Sequence, residues 1–303
     1  MKRATRETLY FEIGSDNHTT LVVEPDEEFV VETQMNRGPW VDAHPDAAKL
    51  KEKLRGGNPS SGCIAVRGAK PGDMLAVHVG EIKLSDTGFT HFSGSSGAVP
   101  AMFGQSALGE QSRIVQIQGG EILWREGLRI PARPMIGFVG VAPGAERYHN
   151  GWGGWWGGNM DIPEVTTGAT MYLPVTVEGA LLHVGDMHAI QGDGEICGAG
   201  GIETEGTVRL RCTVHPRPEG MRYPRIEDAT HLTAVGMARP AEDAFRMALE
   251  HLVAWLEEGA ASRLPMARGE AFMLLAQVLE ARCTQLVNPT FSYVAKVNRK
   301  YLR

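Results

Sequence analysis

The sequence predicts a mainly β protein, a β-sandwich and barrel-like β body with a C-terminal two-helix α/β element. Three observations carry that expectation: short β-branched runs recur from about residue 8 to 235, Gly, Pro and Asp punctuate them, and apolar residues switch to helical spacing after Pro240. Residues 20–23 and 28–33 form the first expected strands, hinged by Pro25-Asp26. Residues 64–67 and 74–84 follow, split by the turn Lys70-Pro71-Gly72-Asp73. The pattern continues through 113–118, 121–124, 135–141, 170–177, 180–184 and 207–214. Glycine is enriched, with 37 among 303 residues, as many tight turns require, and no G-X-Y period accompanies it.

In AEDAFRMALEHLVAWLEEG, Phe245, Ala248, Leu249, Leu252, Trp255 and Leu256 recur at helical spacing. Glu242 and Asp243 suit the first turn and Gly259 the stop. A second helix is expected over 269–283, with Phe272, Leu275, Val278 and Leu279 on one face, followed by a strand-like tail after Pro289. The polar stretch 34–57, with a charged run at 49–55, reads as an insertion or lid-like loop. The expected organisation is an N-terminal β region (1–135), a β region carrying the chemistry (136–239) and a helical pair with its tail packed on the β body (240–303).

A net charge of −6 gives no electrostatic reason for a nucleic-acid partner or an anionic membrane surface. No apolar run approaches the roughly 20 residues that span a bilayer. The start, MKRATRETLYFEIG, lacks the apolar region of a secretory signal. Cys63, Cys197, Cys212 and Cys283 are scattered, so no disulfide framework is expected and the cytoplasm is the expected location.

Two stretches are dense in chemistry. Gly185-Asp186-Met187-His188-Ala189-Ile190-Gln191-Gly192-Asp193-Gly194-Glu195 follows an apolar run and packs three carboxylates and an imidazole among glycines. Asp186 and His188, two apart, project to one side of an extended chain, as a divalent metal requires. The same spacing also suits a hairpin of solvated acids, or a calcium loop from Asp186, Asp193 and Glu195 that lacks the EF-hand alternation. The second stretch, Tyr148-His149-Asn150-Gly151-Trp152-Gly153-Gly154-Trp155-Trp156-Gly157-Gly158-Asn159-Met160-Asp161, holds three of the six tryptophans. These indoles either line a ligand pocket or plug a core or interface. Weaker candidates are Ser93-Gly94-Ser95-Ser96-Gly97, a loop near a site without the helix of a nucleophile elbow; Asp16-Asn17-His18, a turn or a ligand; Cys197, an inert thiol or a nucleophile; and His78 and His183, satisfied core histidines.

These stretches resemble the acetamidase/formamidase family. The similar segments are NPSSGCIAVRGAKPGDMLAVHVGEIKL (58–84), RPMIGFVGVAP (133–143), GGNMD (157–161) and YLPVTVEGALLHVGDMHAIQGDGE (172–195), in the family's order. The resemblance implies a mostly β, usually oligomeric enzyme (a homodimer or larger) that hydrolyses a small carboxamide to carboxylate and ammonia. Amino-acid amides or lactams are alternative substrates, and a non-catalytic, aromatic-lined small-ligand binder is the alternative function. It also implies a divalent metal: zinc first, then manganese or calcium. With the resemblance in hand, Asp161, Asp186 and His188 are the expected metal ligands. Glu195 is the expected general base, its acidity tuned by Asp193. Asn159 and Gln191 are expected to bind the amide, with Trp155 and Trp156 as pocket walls. Family members often carry Pro-His ahead of Gly-Gly-Asn; Trp155-Trp156 stand there in this chain, which suggests a more aromatic pocket and a bulkier amide.

Overall fold

A computed structural model of the protein describes residues 1–92, 109–259 and 265–302. It is mainly β, as the spacing predicts. Its backbone is an antiparallel ribbon of two long strands, Asp73–Phe92 and Ala199–Pro216, registered from Asp73 opposite Pro216 to His91 opposite Ala199 with bulges between. Each bulge adds local twist and lets a strand this long curl instead of lying flat. Asp73–Phe92 carries Thr170–Pro174 and Gln111–Gln118 on its other edge, while Ala199–Pro216 carries Glu28–Thr33.

The strand that matters most for function is Leu182–His188. Met135–Val141 lies along one edge, with Met135 opposite His188 and Phe138 opposite Gly185. Along the other edge lie first Ser60–Val66 and then Ala199–Pro216, with His188 opposite Glu203. Every residue of Met135–Val141 and of Leu182–His188 is buried, so both faces of the sheet are covered here. The main core packs Phe29, Ile64, Leu75, Phe138 and Val184 between the curled walls. The strand runs on through His188, where the glycines suggest an earlier turn. Gly185 is required there because a Cβ would collide with Pro59 O and lie 2.9 Å from Ser60 Cα.

The polar 34–57 stretch folds into a 3-10 turn, Pro39–Val41, and a short helix, Ala47–Lys53, with Val41 and Leu54 buried beneath. The helix Ala241–Glu257 forms as its period requires and buries Ala244, Ala248, Leu252, Trp255 and Leu256. It lies on His231–Ala238 and Phe291–Asn298, which pair with each other. The next helix, Arg268–Val278, ends five residues before the expected limit because Glu280–Gln285 pairs with Phe291–Asn298 as a strand. Ala271 and Leu275 face inward, whereas Phe272, expected on that face, is 55% exposed. One residue rotates a helical position by about 100°, enough to carry the ring to the outside. Among the described residues no helix is long and apolar enough to cross a membrane.

Two glycine substitutions should move stability in opposite directions. A Cβ at Gly236 would collide with Ala244 O and lie 2.6 Å from Ala248 N, so Gly236→Ala should cost about 1–3 kcal/mol by forcing helix from sheet. Gly269 has open space around it, and Gly269→Ala should stabilise its helix by about 0.5–1 kcal/mol. Denaturant midpoints measure both, and equal effects would contradict the packing.

Candidate active site

Three neighbouring strands assemble the site. Leu182–His188 supplies Asp186 and His188, Ala199–Pro216 supplies Glu203, and Met135–Val141 supplies Gly137 between the carboxylates. Asp161 follows the short strand Gly157–Asn159, whose Asn159 pairs with Phe138. The Met160 and Asp161 amides both donate to Gly137 O, at 3.0 and 3.2 Å, and so turn the Asp161 side chain over Gly137. A Cβ on Gly137 would collide with Asp161 Oδ1 and lie 2.8 Å from Asp186 Oδ2. Only glycine leaves room for both acids. Glu195 ends a turn closed by its own N–H donating to Gly192 O at 3.2 Å.

Asp161, Asp186 and Glu195 all have left-handed backbone, with φ of 47°, 55° and 42°. Such conformations cost on the order of 1–3 kcal/mol each and persist where surrounding structure imposes them, often at functional sites. Asp161, Asp186 and His188 each turn one ligand atom toward a common point, all within 4.8 Å of one another. His188 Nε2 lies 3.5 Å from Asp186 Oδ1 and 3.4 Å from Glu203 Oε1. All five side chains are at most 5% exposed. Yet Asp161 Oδ1, Asp186 Oδ1, His188 Nε2, Glu195 Oε2 and Glu203 Oε2 have no hydrogen-bond partner. Buried polar atoms are otherwise nearly always paired, so five together mark a place built for something else. Hard carboxylate oxygens and one imidazole nitrogen fit a divalent cation.

The amide of Gln191 settles which histidine nitrogen faces that place. Its Nε2 donates to Asp161 O at 2.8 Å and Thr284 O at 3.0 Å, both carbonyls that can only accept. Its Oε1 therefore faces His188 Nδ1, 3.0 Å away, and Nδ1 must carry the proton. That leaves Nε2 directed at the acids, the orientation a metal-binding histidine takes.

Electrostatics follow from burial. Burial first and Asp186 second push the Asp161 carboxyl up to about 7. Burial, reinforced by Asp161, holds Glu195 well above the usual carboxylate range. Burial and Glu203 raise Asp186. Burial opposes charge on His188, but Glu203 and Asp186 together outweigh it and hold the imidazole protonated well above the ordinary histidine range. Without a cation, protons balance the acids.

Asp161, Asp186 and His188, the ligand set implied by the resemblance, lie together, and Glu195 lies beside Asp161. Asn159 lies beside them, its buried Oδ1 unpartnered. Three expectations need correction. Asp193 sits at the outer corner of its turn, 59% exposed and paired with Arg282, so Asp161 and not Asp193 tunes Glu195. Gln191 has both amide ends committed and orients His188 instead of binding a substrate. Trp156 is a core residue, 4% exposed and stacked on Tyr148 at 4.0 Å, and Trp155 packs edge-on against it. Trp156 is thus held in the protein interior and is no pocket wall, whereas Trp155 is only partly buried. Glu203 and Asn288, whose Nδ2 donates to Asp161 Oδ2 at 2.6 Å, were not singled out by spacing.

The remaining candidates are structural. His18 is exposed and its carbonyl accepts the Tyr10 hydroxyl. Cys197 has its thiol raised by burial, which disfavours a nucleophilic thiolate. His78 bonds Thr170 and Thr213. His183 bridges Ser60 Oγ and Asn17 Nδ2, both at 3.2 Å, and burial pushes its pKa down to about 3. Because Asn17 donates to Nε2, Nδ1 carries the proton and donates to Ser60; that serine has no base. The Ser93–Gly97 segment lies outside the described residues.

A profile of the acetamidase/formamidase family matches residues 8–151 and 154–257. The chain belongs to this family. Among solved structures of the family, an acetamidase from Bacillus halodurans superposes with a TM-score of 0.86 at 29% identity, covering 99% of this chain and 98% of the other. A predicted acetamidase/formamidase from Thermoanaerobacter tengcongensis gives 0.87 at 30% identity, covering 99% and 96%. An acetamidase from Mycolicibacterium smegmatis is 52% identical over 54 residues, which are 18% of this chain. The curated relatives are matched over only 13 to 14% of their own length.

Folded protein without a cation holds protons that the unfolded chain releases, because Asp161 titrates near 7 in the fold against an ordinary 3.8. That contribution is present below the ordinary value and lost as pH rises through about 7. The melting midpoint of chelator-treated protein should therefore fall across this window, and zinc should restore it while releasing protons. A flat or rising midpoint would contradict the electrostatics. Gly137→Ala should abolish zinc retention, measured by metal content of the folded variant; full retention would show that the acids need no such room.

Proposed function

We propose that the protein hydrolyses the C–N bond of a small carboxamide, giving carboxylate and ammonia, at the cluster of Asp161, Asp186, His188 and Glu195. One observation supports this reading: Asp161, Asp186 and His188 bring buried ligand atoms within 4.8 Å of one another, and each of them, like the neighbouring buried Glu195 and Glu203, has an atom without a hydrogen-bond partner. The names of the structural relatives, acetamidase and formamidase, support a short linear amide. Free cysteines at 63, 197, 212 and 283 support a reducing, cytoplasmic setting.

Asp161, Asp186 and His188 would hold the cation, with zinc favoured by two carboxylates plus one imidazole and the usual three protein ligands of a catalytic zinc site. When bound, such a cation supplies Lewis-acid polarisation of a carbonyl and a more acidic water. The protein's own groups do the rest. Glu195, next to Asp161 and shielded from bulk water, accepts a proton from the attacking water through Oε2 as the new C–O bond forms. It returns that proton to the amide nitrogen as the C–N bond breaks, and ammonia leaves. Burial raises the proton affinity of this carboxyl, which makes it a stronger base toward the attacking water while leaving it able to hand the proton on to the departing nitrogen. Asn159 Oδ1 accepts a substrate N–H, satisfying an atom that otherwise lacks a partner. Glu203 faces His188 and opposes loss of positive charge around that ring.

The test is ammonia release from a panel of formamide, acetamide, longer amides, an amino-acid amide and a lactam, on protein of measured metal content. At least one short linear amide should turn over, and stripping the metal should abolish it. Binding without turnover across the panel would favour a ligand-binding protein. Glu195→Gln should keep fold and zinc but lose at least about 100-fold in kcat. Near-normal turnover would remove Glu195 from the role.

A further inference from the structure

The strands Glu280–Gln285 and Phe291–Asn298 form the last hairpin of the described chain, beyond residue 257 where the family match ends. The hairpin reaches the acid cluster in three places. Cys283 O accepts the Gly194 N–H at 3.0 Å and the Leu286 N–H donates to Gly194 O at 2.9 Å, bracketing the residue before Glu195. Thr284 O accepts from Gln191, the amide that sets the His188 tautomer. Asn288 Nδ2 lies 2.6 Å from Asp161 Oδ2 and 3.4 Å from Asn159 O. A backbone carbonyl can only accept, so the NH2 end of Asn288 faces both oxygens.

The loop that carries Asn288 is held from inside. Gln285, fully buried, accepts the Val287 and Asn288 amides at 3.0 and 2.9 Å and donates to Thr290 O and Ser292 Oγ at 2.6 and 2.9 Å. Arg239 Nη2 donates to Asn288 O at 2.8 Å. Such a staple is more than a surface turn requires, and it fixes one side chain against a buried carboxylate.

We infer that this C-terminal hairpin is part of the active site and that Asn288 is the positioning residue for Asp161. Asn288 bonds Oδ2 and leaves Oδ1, the oxygen over Gly137, as the unpartnered atom of Asp161. Without that bond the carboxylate is free to rotate, and its aim at Asp186 and His188 is lost. Partners of this kind typically govern metal affinity or activity by about 10–100-fold. The inference rests on the proposed metal-assisted reading of the site.

The experiment measures zinc affinity by competition with a chelator, together with kcat and KM, for the parent, Asn288→Ala and the isosteric Asn288→Asp. Both variants should bind zinc about 10–100-fold more weakly. Turnover should fall in kcat with KM little changed, and the metal-free variants should still melt cooperatively, their midpoints lowered by the lost bond to buried Asp161 Oδ2. Arg239→Ala, which loosens the same loop without touching Asp161, is the control. Zinc affinity and kcat within about twofold of the parent in either folded Asn288 variant would overturn the inference. So would an equal zinc loss in Arg239→Ala, which would assign the effect to loop stability. Parent protein that binds zinc yet releases no ammonia would refute amide hydrolysis while the affinity comparison still decides Asn288. Parent protein that binds no divalent cation would refute both.

Discussion

Four carboxylates out of reach of water, gathered round one imidazole, impose the constraint that organises this molecule. An ionised carboxylate moved from water into an apolar interior loses far more solvation than a single neighbour restores, so the group either keeps a proton or meets a cation. The raised Asp161, Asp186 and Glu195 are the first outcome, and the unpartnered oxygens around His188 Nε2 anticipate the second. Left-handed backbone at three acids and a missing Cβ at Gly137 are the local means of bringing the charges together. None of these features would persist in a loosely held loop. They persist because the surrounding sheet is covered on both faces and has no freedom to relax.

That dependence explains why the site is built where it is. Leu182–His188 is flanked by other strands along both edges, so its side chains are fixed by register, not by a flexible turn. Opposition of His188 to Glu203 is a property of strand pairing, and opposition of Asn159 to Phe138 delivers Asp161 two residues later. Two carboxamides, Gln191 and Asn288, complete the arrangement by using backbone carbonyls as references for their own orientation. Rigid strands set position, and amides set which atom points inward.

Much of this was legible in the sequence because it follows a period of two. Residues 28–33 and 135–141 match their strands at both ends, and Asp186 and His188 share a side because two residues separate them in an extended chain. Asp193 and Glu195 have the same separation, but they lie in a turn, where alternation fails and one acid points out while the other points in. Glu203 was hidden in an ordinary alternating strand, Ile202-Glu203-Thr204-Glu205, where only the partner strand reveals which glutamate faces the histidine. Asn288 was out of reach for the same reason, since its partner lies 127 positions away. The glycine-flanked sequence around Trp156 does not encode its stacking partner, Tyr148, which makes it a core residue. Helical spacing past Val278 was overruled by pairing with Phe291–Asn298, a contact that local pattern does not encode.

A crystal structure of the zinc-soaked protein, with anomalous scattering recorded at the zinc edge, tests the central claim most directly. The account predicts a single dominant peak enclosed by Asp161 Oδ1, Asp186 and His188 Nε2, with Asn288 still bonded to Asp161 Oδ2. Catalytically active crystals in which that place holds no ion, and the carboxyl groups bond only to one another or to water, would contradict it.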